Sequence, residues 1–140
     1  MSEKYKILSN FVKDMSSETP DVESYLSTKN NINKYELDID ISSKPLKNKL
    51  IEVNTSLKFQ NKTQADKKSY FEIVYASIIQ IEESIKEKKD LQKIILCDIQ
   101  NDIYPKLEKI LLNLLSDSGY SNVKFDKKVD FNKLFNDKFN

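Results

Sequence analysis

The chain has 140 residues, of which 39% are hydrophobic and 32% charged, and its net charge is +1 at pH 7. All 23 basic residues are lysines, so the bidentate arginine fork that recognises phosphate and guanine is missing, and a protein built to bind nucleic acid is disfavoured. With no histidine and one cysteine, the chain cannot form a Ser–His–Asp triad, a Cys–His pair or a histidine metal site.

Length and apolar runs predict the organisation and location of the protein. A chain of 140 residues is near the usual size of one domain, so residues 1–140 are predicted to form a single domain. The first ten residues lack the pattern of a signal peptide, and the longest apolar run, residues 110–115, is too short to cross a bilayer. The single Cys97 lies among apolar residues, which predicts a reduced, buried thiol. We therefore expect a cytoplasmic protein without membrane insertion.

Four segments alternate apolar and polar residues with the period of two that is typical of β-strands. They cover residues 5–12, 35–41, 51–59 and 70–81. A turn is predicted at residues 42–45, and the polar residues 61–68 connect the last two segments. The fourth segment is apolar on both faces, which is typical of a central strand or of a strand pressed against another subunit. The short connections predict an antiparallel sheet.

Residues 14–33, between the first two strands, fit neither period and are predicted to be a functional loop or a disordered linker. Their apolar residues have two interpretations: they tuck the loop onto the sheet, or they line a groove for extended apolar segments of other proteins. No basic residue occurs from Asp14 through Thr28, so this acidic stretch is either a solvated loop or a docking site for a basic partner.

After residue 81 the apolar residues recur at spacings of three and four, which is typical of helices. A helix with its cap at Asp90 is predicted first, followed by an interruption at residues 100–102. A second helix has Pro105 in its first turn and ends at Gly119, and a last one begins near Asp130. Strands followed by helices predict an α+β fold, a four-stranded antiparallel sheet followed by packed helices.

No group of residues in the sequence favours an enzyme. Asp38 and Asp40 share one strand face and are the best candidates for a metal site or an acid–base pair. The solvated side of an amphipathic strand explains them better. The single glycine leaves no glycine-rich phosphate loop. We therefore expect no catalytic residue, no metal and no cofactor.

Five segments of the chain, in order and spacing, resemble the SecB family of tetrameric chaperones, which deliver unfolded preproteins to the SecA motor. The segments are residues 12–20, 35–41, 72–81, 103–105 and 129–135. One departure is in the fourth strand, where Ala76 and Ser77 replace a pair of glycines in the family. The resemblance spans nearly the whole chain and implies the SecB-like α+β fold.

The resemblance also implies partners and site residues. The residues that match the SecB surface for the basic tail of SecA are Asp14, Glu18, Tyr70 and Glu72. The residues that would line the groove for unfolded clients are Tyr25, Leu26 and Ile32. The expected function is that of an ATP-independent holding chaperone, a homotetramer built as a dimer of dimers. Two alternatives stay open: a SecB-like chaperone of a toxin–antitoxin system, and an oligomeric interaction protein unrelated to export.

Overall fold

A four-stranded antiparallel sheet organises the protein, whose computed structural model describes residues 4–62, 69–125 and 128–139, with side chains as far as residue 137. The strands are β1 (Tyr5–Glu18), β2 (Glu36–Pro45), β3 (Leu50–Gln60) and β4 (Tyr70–Ile81). Their order in the sheet is β1-β4-β3-β2, so β1 and β2 form the two edges. The predicted strands and the α+β class are confirmed.

The helices follow the sheet, as predicted, except for a short one between β1 and β2. The helices are α1 (Val22–Asn30), α2 (Lys88–Lys93), α3 (Ile99–Asp117) and α4 (Phe131–Phe139). Alternate residues of β3 and β4 are buried beneath the helices, and we call this side of the sheet the covered face. The residues between them, such as Glu52 and Val74, stay partly exposed on the other side, which we call the open face.

The core lies between the covered face and α3. The fully buried side chains that meet there are Val53, Leu57, Phe71, Ile73, Ile79, Leu107, Leu111 and Leu115. Cys97 is buried beside them as a free thiol, as predicted, and burial raises its pKa above the ordinary value. Among the helices of the described ranges, none is both long and apolar enough to span a membrane.

The predicted interruption at residues 100–102 is wrong. The backbone stays helical from α2 through a π-helical segment, Ile94–Asp98, into α3. Gln100 is a buried core residue whose side-chain nitrogen donates to Thr55 Oγ1 at 2.9 Å and to the Ile95 carbonyl at 3.3 Å. Its polarity therefore marks a buried hydrogen bond between α3 and the sheet and not the end of a helix.

The predicted ends of the helices are partly confirmed. Pro105 lies inside α3 on its exposed side, where the carbonyl that loses a partner can face water, and not in a first turn. Asp90 is not the cap of α2, because Glu87 occupies that position without a side-chain bond. Gly119, at φ 104°, ends α3 as predicted, and Asp130 accepts a hydrogen bond from the Lys133 N–H at 3.0 Å at the start of α4.

The prediction of an irregular segment at residues 14–33 is wrong. β1 continues through Glu18, and α1 begins after Asp21, whose carboxylate accepts from the Ser24 N–H at 2.7 Å. The buried side chains of α1 are Ser24 and Thr28, which explains why the segment has no apolar helical period. A helix that buries hydroxyl groups does not produce the pattern on which the prediction depended.

The predicted turn at residues 42–45 is shifted. β2 continues through Pro45, which an edge strand tolerates because one side of its backbone needs no ladder partner. The chain reverses in the following residues, where Asn48 and Lys49 have φ values of 64° and 63°. The predicted connection at residues 61–68 falls largely on residues 63–68, which lie outside the described residues.

Candidate functional site

The four residues predicted to dock a basic partner lie together at one end of the open face, and we call them the acidic surface. They are Asp14, Glu18, Tyr70 and Glu72. Glu18 pairs with Tyr70 across the two strands, and Glu72 pairs with Ser16, which lies between the two acidic residues of β1. Within the described chain, none of the three carboxylates forms an ion pair.

A β-bulge brings the acidic residues of β1 onto this face. Val12 pairs with Tyr75 on the covered face, whereas Asp14 pairs with the next residue along β4, Val74, on the open face. Lys13 is therefore an extra residue in β1, and it reverses the alternation of side chains beyond it. In a regular ladder Asp14 and Glu18 would lie on the covered face.

Tyr70 is coupled to the carboxylates around it. Its hydroxyl donates a hydrogen bond to Glu72, and this bond, together with burial and the negative charges of Glu72 and Asp14, raises the pKa of Tyr70 to about 12. The phenol is therefore protonated at neutral pH. It occupies one acceptor site of Glu72 and leaves the other carboxylate oxygen for a partner.

The three residues predicted to bind clients lie on or next to α1, where they do not all face one groove. The Tyr25 ring lies 5.2 Å from that of Tyr120, and its hydroxyl donates to the Gly119 carbonyl at 3.1 Å. Ile32 lines a groove of about 120 Å³ together with residues 119–123, which follow α3. Leu26 is 52% exposed and points away from the core. Tyr25 and Ile32 thus fix α1 to the helical layer, while Leu26 remains available to a partner.

A buried network of hydroxyl groups holds α1 in place. The Tyr35 hydroxyl donates to the Ser69 carbonyl at 2.6 Å. The Ser69 hydroxyl is hydrogen-bonded to Thr28 at 3.1 Å and to the hydroxyl of Tyr120 at 3.0 Å. Burial raises the pKa of Tyr35 above its ordinary value, so this hydroxyl remains a donor. The network joins α1 to Ser69, just before β4, and to Tyr120, just after α3.

A second groove, which the sequence did not predict, lies along β2 beneath α4, and we call it the β2-edge groove. It has a volume of about 230 Å³ and is lined by Ile39, Asp40, Ile41, Leu96, Phe131, Leu134 and Phe135. Leu134 is 52% exposed at its rim. The apolar side of α4 was visible in the sequence, but its position against β2 depends on long-range packing. Asp38, the other acid considered for chemistry, forms an ion pair with Lys62 at 2.8 Å.

The other edge of the sheet also exposes apolar side chains. Those of β1 are 41% to 52% exposed and belong to Leu8, Phe11, Val12 and Met15. Val12 and Met15 face the side of the helices, whereas Phe11 pairs with Ala76 on the open face. The weak alternation of residues 5–12, with apolar residues in both phases, was the sequence signal for such a strand.

Comparisons with known proteins find relatives that match all or nearly all of the chain. The profile of the family described as "Preprotein translocase subunit SecB" matches residues 1–140. A "Putative protein-export protein SecB" of Pelagibacter ubique is 54% identical over 140 residues, which is 100% of both chains. A "Protein-export protein SecB" of Bradyrhizobium diazoefficiens is 24% identical over 129 residues, covering 92% of this chain and 78% of the relative.

A solved structure has the same fold. It is the Mycobacterium tuberculosis SecB-like chaperone in complex with a ChAD peptide from an antitoxin. The two chains superpose with a TM-score of 0.64 at 10% identity, covering 89% of this chain and 91% of the other. At this identity the comparison establishes the fold alone.

Proposed function

This chain belongs to the SecB family, a family of protein-export chaperones and not of enzymes, and we propose that it holds unfolded preproteins without ATP and passes them to the SecA motor. The observation that carries the proposal is the apolar surface left exposed at both edges of the sheet in a protein that is related to export chaperones over its whole length. In this proposal residues 1–140 act as one chaperone domain in the cytoplasm.

Clients would bind along the β2-edge groove and the exposed part of α1. An extended segment can add a strand to the free edge of β2, so that main-chain hydrogen bonds give affinity regardless of sequence. Its apolar side chains would cover Leu134 and Leu26 at about 25 cal/mol per Å² of buried apolar area. A folded protein buries such segments and would therefore be released.

The exposed edge of β1 supports assembly into a homotetramer, built as a dimer of dimers. β1 has 14 residues, and its apolar side chains are exposed on both faces of the sheet. An uncovered edge of this kind invites pairing with another strand, and a two-fold axis would cover it with the same strand of a second copy. Four subunits would hold one long client at several weak sites, which raises the overall affinity.

The acidic surface would contact SecA through its basic tail. Its three carboxylates lie on the open face, at the opposite side of the sheet from α3, so docking leaves the helical layer free. Unpaired carboxylates favour lysine and arginine side chains of a partner. The variant Glu72→Lys is expected to weaken binding of a peptide of the SecA tail without changing the mass of the assembly. Unchanged peptide binding would contradict the assignment of this surface.

Aggregation of a slow-folding reporter protein tests the chaperone activity directly. We expect the protein to suppress light scattering by the unfolded reporter in the absence of nucleotide, at about one tetramer per reporter chain. Addition of ATP should change nothing. Scattering that is as strong with the protein as without it would contradict the holding activity.

A further inference from the structure

We propose that Lys13 is a positioning residue of the acidic surface: its side chain crosses β4 to Glu52 on β3 and holds the bulge that turns Asp14 and Glu18 onto the open face. The inference rests on the proposed role of that surface in binding the SecA tail. A basic residue would thus strengthen the binding of a basic partner, which simple charge matching does not predict.

The contact of Lys13 spans three strands. Its Nζ atom lies 2.8 Å from Glu52 Oε2, and the same oxygen accepts a hydrogen bond from the Asn54 side chain at 2.8 Å. Since β4 separates β1 from β3, the Lys13 side chain must pass over β4 on the open face. Ala76, on that face of β4, is fully buried. A small residue there leaves room for the aliphatic stem of Lys13.

Glu52 is a suitable anchor for this contact. Its side chain is 17% exposed, whereas that of Lys13 is 49% exposed, so the carboxylate is the more fixed of the two groups. Hydrogen bonds from Lys13 and Asn54 lower the pKa of Glu52 below its ordinary value, which keeps it ionised at neutral pH. The anchor is therefore charged under the conditions in which a basic partner would bind.

The bulge needs a stabilising contact because β1 could instead pair with β4 in a regular ladder that has no bulge. A slip of one residue in β1 would remove the bulge and exchange the faces of all residues beyond it. Asp14 and Glu18 would then lie on the covered face, and the acidic surface would keep only the residues of β4. Lys13 is the extra residue of the bulge, so its bond to β3 acts at the position where the phase changes.

The variant Lys13→Met distinguishes a positioning role from a simple effect of charge, because the two change the affinity for a basic peptide in opposite directions. Loss of a positive charge alone would strengthen binding of a basic peptide. Loss of positioning is expected to weaken binding of a synthetic peptide of the SecA tail by about fivefold, the equivalent of two exposed charge contacts. Calorimetric titration of the full-length protein measures this difference. Lys13→Arg should restore binding to within about twofold of the wild type, because it retains the charge–charge contact.

Three further variants serve as controls. Lys49→Met removes a lysine from another exposed ion pair, with Glu83 at 3.3 Å, and should leave peptide binding unchanged or slightly stronger. Deleting Lys13 removes the extra residue itself, so a regular ladder keeps Asp14 and Glu18 on the open face and peptide binding should persist, as it should when Leu8, the extra residue of the other bulge in β1, is deleted. If the wild type binds the peptide and Lys13→Met binds it equally or more tightly, the role of Lys13 is overturned, but the assignment of the acidic surface is not. A wild type that suppresses aggregation but does not bind the peptide would overturn the assignment of the whole surface.

Discussion

The two edges of the sheet differ in length, in cover and in what can occupy them. β1 is 14 residues long and has exposed apolar side chains on both faces, whereas β2 has 10 residues and lies beside the apolar residues of α4. A long edge with exposed apolar side chains suits a permanent strand partner, such as a second copy of the chain. A shorter edge beside an apolar groove suits an extended segment that binds and leaves. We therefore propose assembly through β1 and client binding at the β2 edge of the same sheet.

Charges placed on the β1 edge should have the largest effect. In the double variant Val12→Glu and Met15→Glu, two carboxylates would be buried between subunits without partners, which is strongly unfavourable. We expect the assembly to dissociate at micromolar concentration, as measured by light scattering after gel filtration. Val22→Glu, on the exposed side of α1, is the control and should leave the mass unchanged. A double variant with the mass of the wild type would show that β1 is not the interface.

A charge in the β2-edge groove should reduce client holding while the assembly persists. Leu134→Asp places a carboxylate where we expect a client side chain to be buried. The affinity for an unfolded reporter should fall about tenfold, because one apolar contact is lost and a charge must be desolvated. Fluorescence anisotropy of a labelled reporter measures the change. Lys133→Asp, at the neighbouring position of α4, is the control, and an equal loss in both variants would argue against the groove.

Leu26 tests whether the client surface extends from the β2 edge to α1. Leu26→Ser removes exposed apolar area without disturbing the hydroxyl network beneath α1. We expect a loss of about threefold in reporter affinity and no change in thermal stability. The same anisotropy titration, combined with a melting curve, detects it. Unchanged affinity would restrict the client surface to the β2 edge.

The smallest expected effect concerns the contact between Tyr70 and Glu72 on β4 and is read from the titration of Tyr70. Its pKa is raised to about 12 chiefly by the hydrogen bond to Glu72, so Glu72→Gln should lower it toward the ordinary value of 10.0. The phenol would then ionise at lower pH, because the neighbouring carboxylate that opposed the phenolate is gone. Resonances of ¹³C-labelled tyrosine followed between pH 8 and 12.5 report this shift. An unchanged titration would contradict the contact between the two side chains.

Local patterns predicted most of the fold, and they failed where burial involves polar groups. The alternation in β2, β3 and β4 and the helix end at Gly119 depend on neighbouring residues, and these predictions are confirmed. α1 was missed because it buries Ser24 and Thr28, and the interruption of α3 was wrongly predicted because Gln100 is buried with hydrogen-bonding partners. Hydroxyl and amide groups in a core resemble surface residues in sequence.

The arrangement of the proposed functional surfaces depends on information that no local pattern holds. The resemblance named the acidic surface, and the structure brings its four residues together on one face. The bulge at Lys13 depends on register between strands that lie 60 residues apart in the chain, and the β2-edge groove depends on where α4 packs. Both are long-range properties, which is why the sequence indicated the residue types but not their arrangement.

Gel filtration of the protein with an unfolded preprotein and SecA, in the absence of nucleotide, tests the central claim most directly. We predict one complex that contains all three components, with four copies of this chain. With the Glu72→Lys variant this complex should lose SecA but keep the preprotein. Elution of this chain separately from the unfolded preprotein, with or without SecA, would contradict the account.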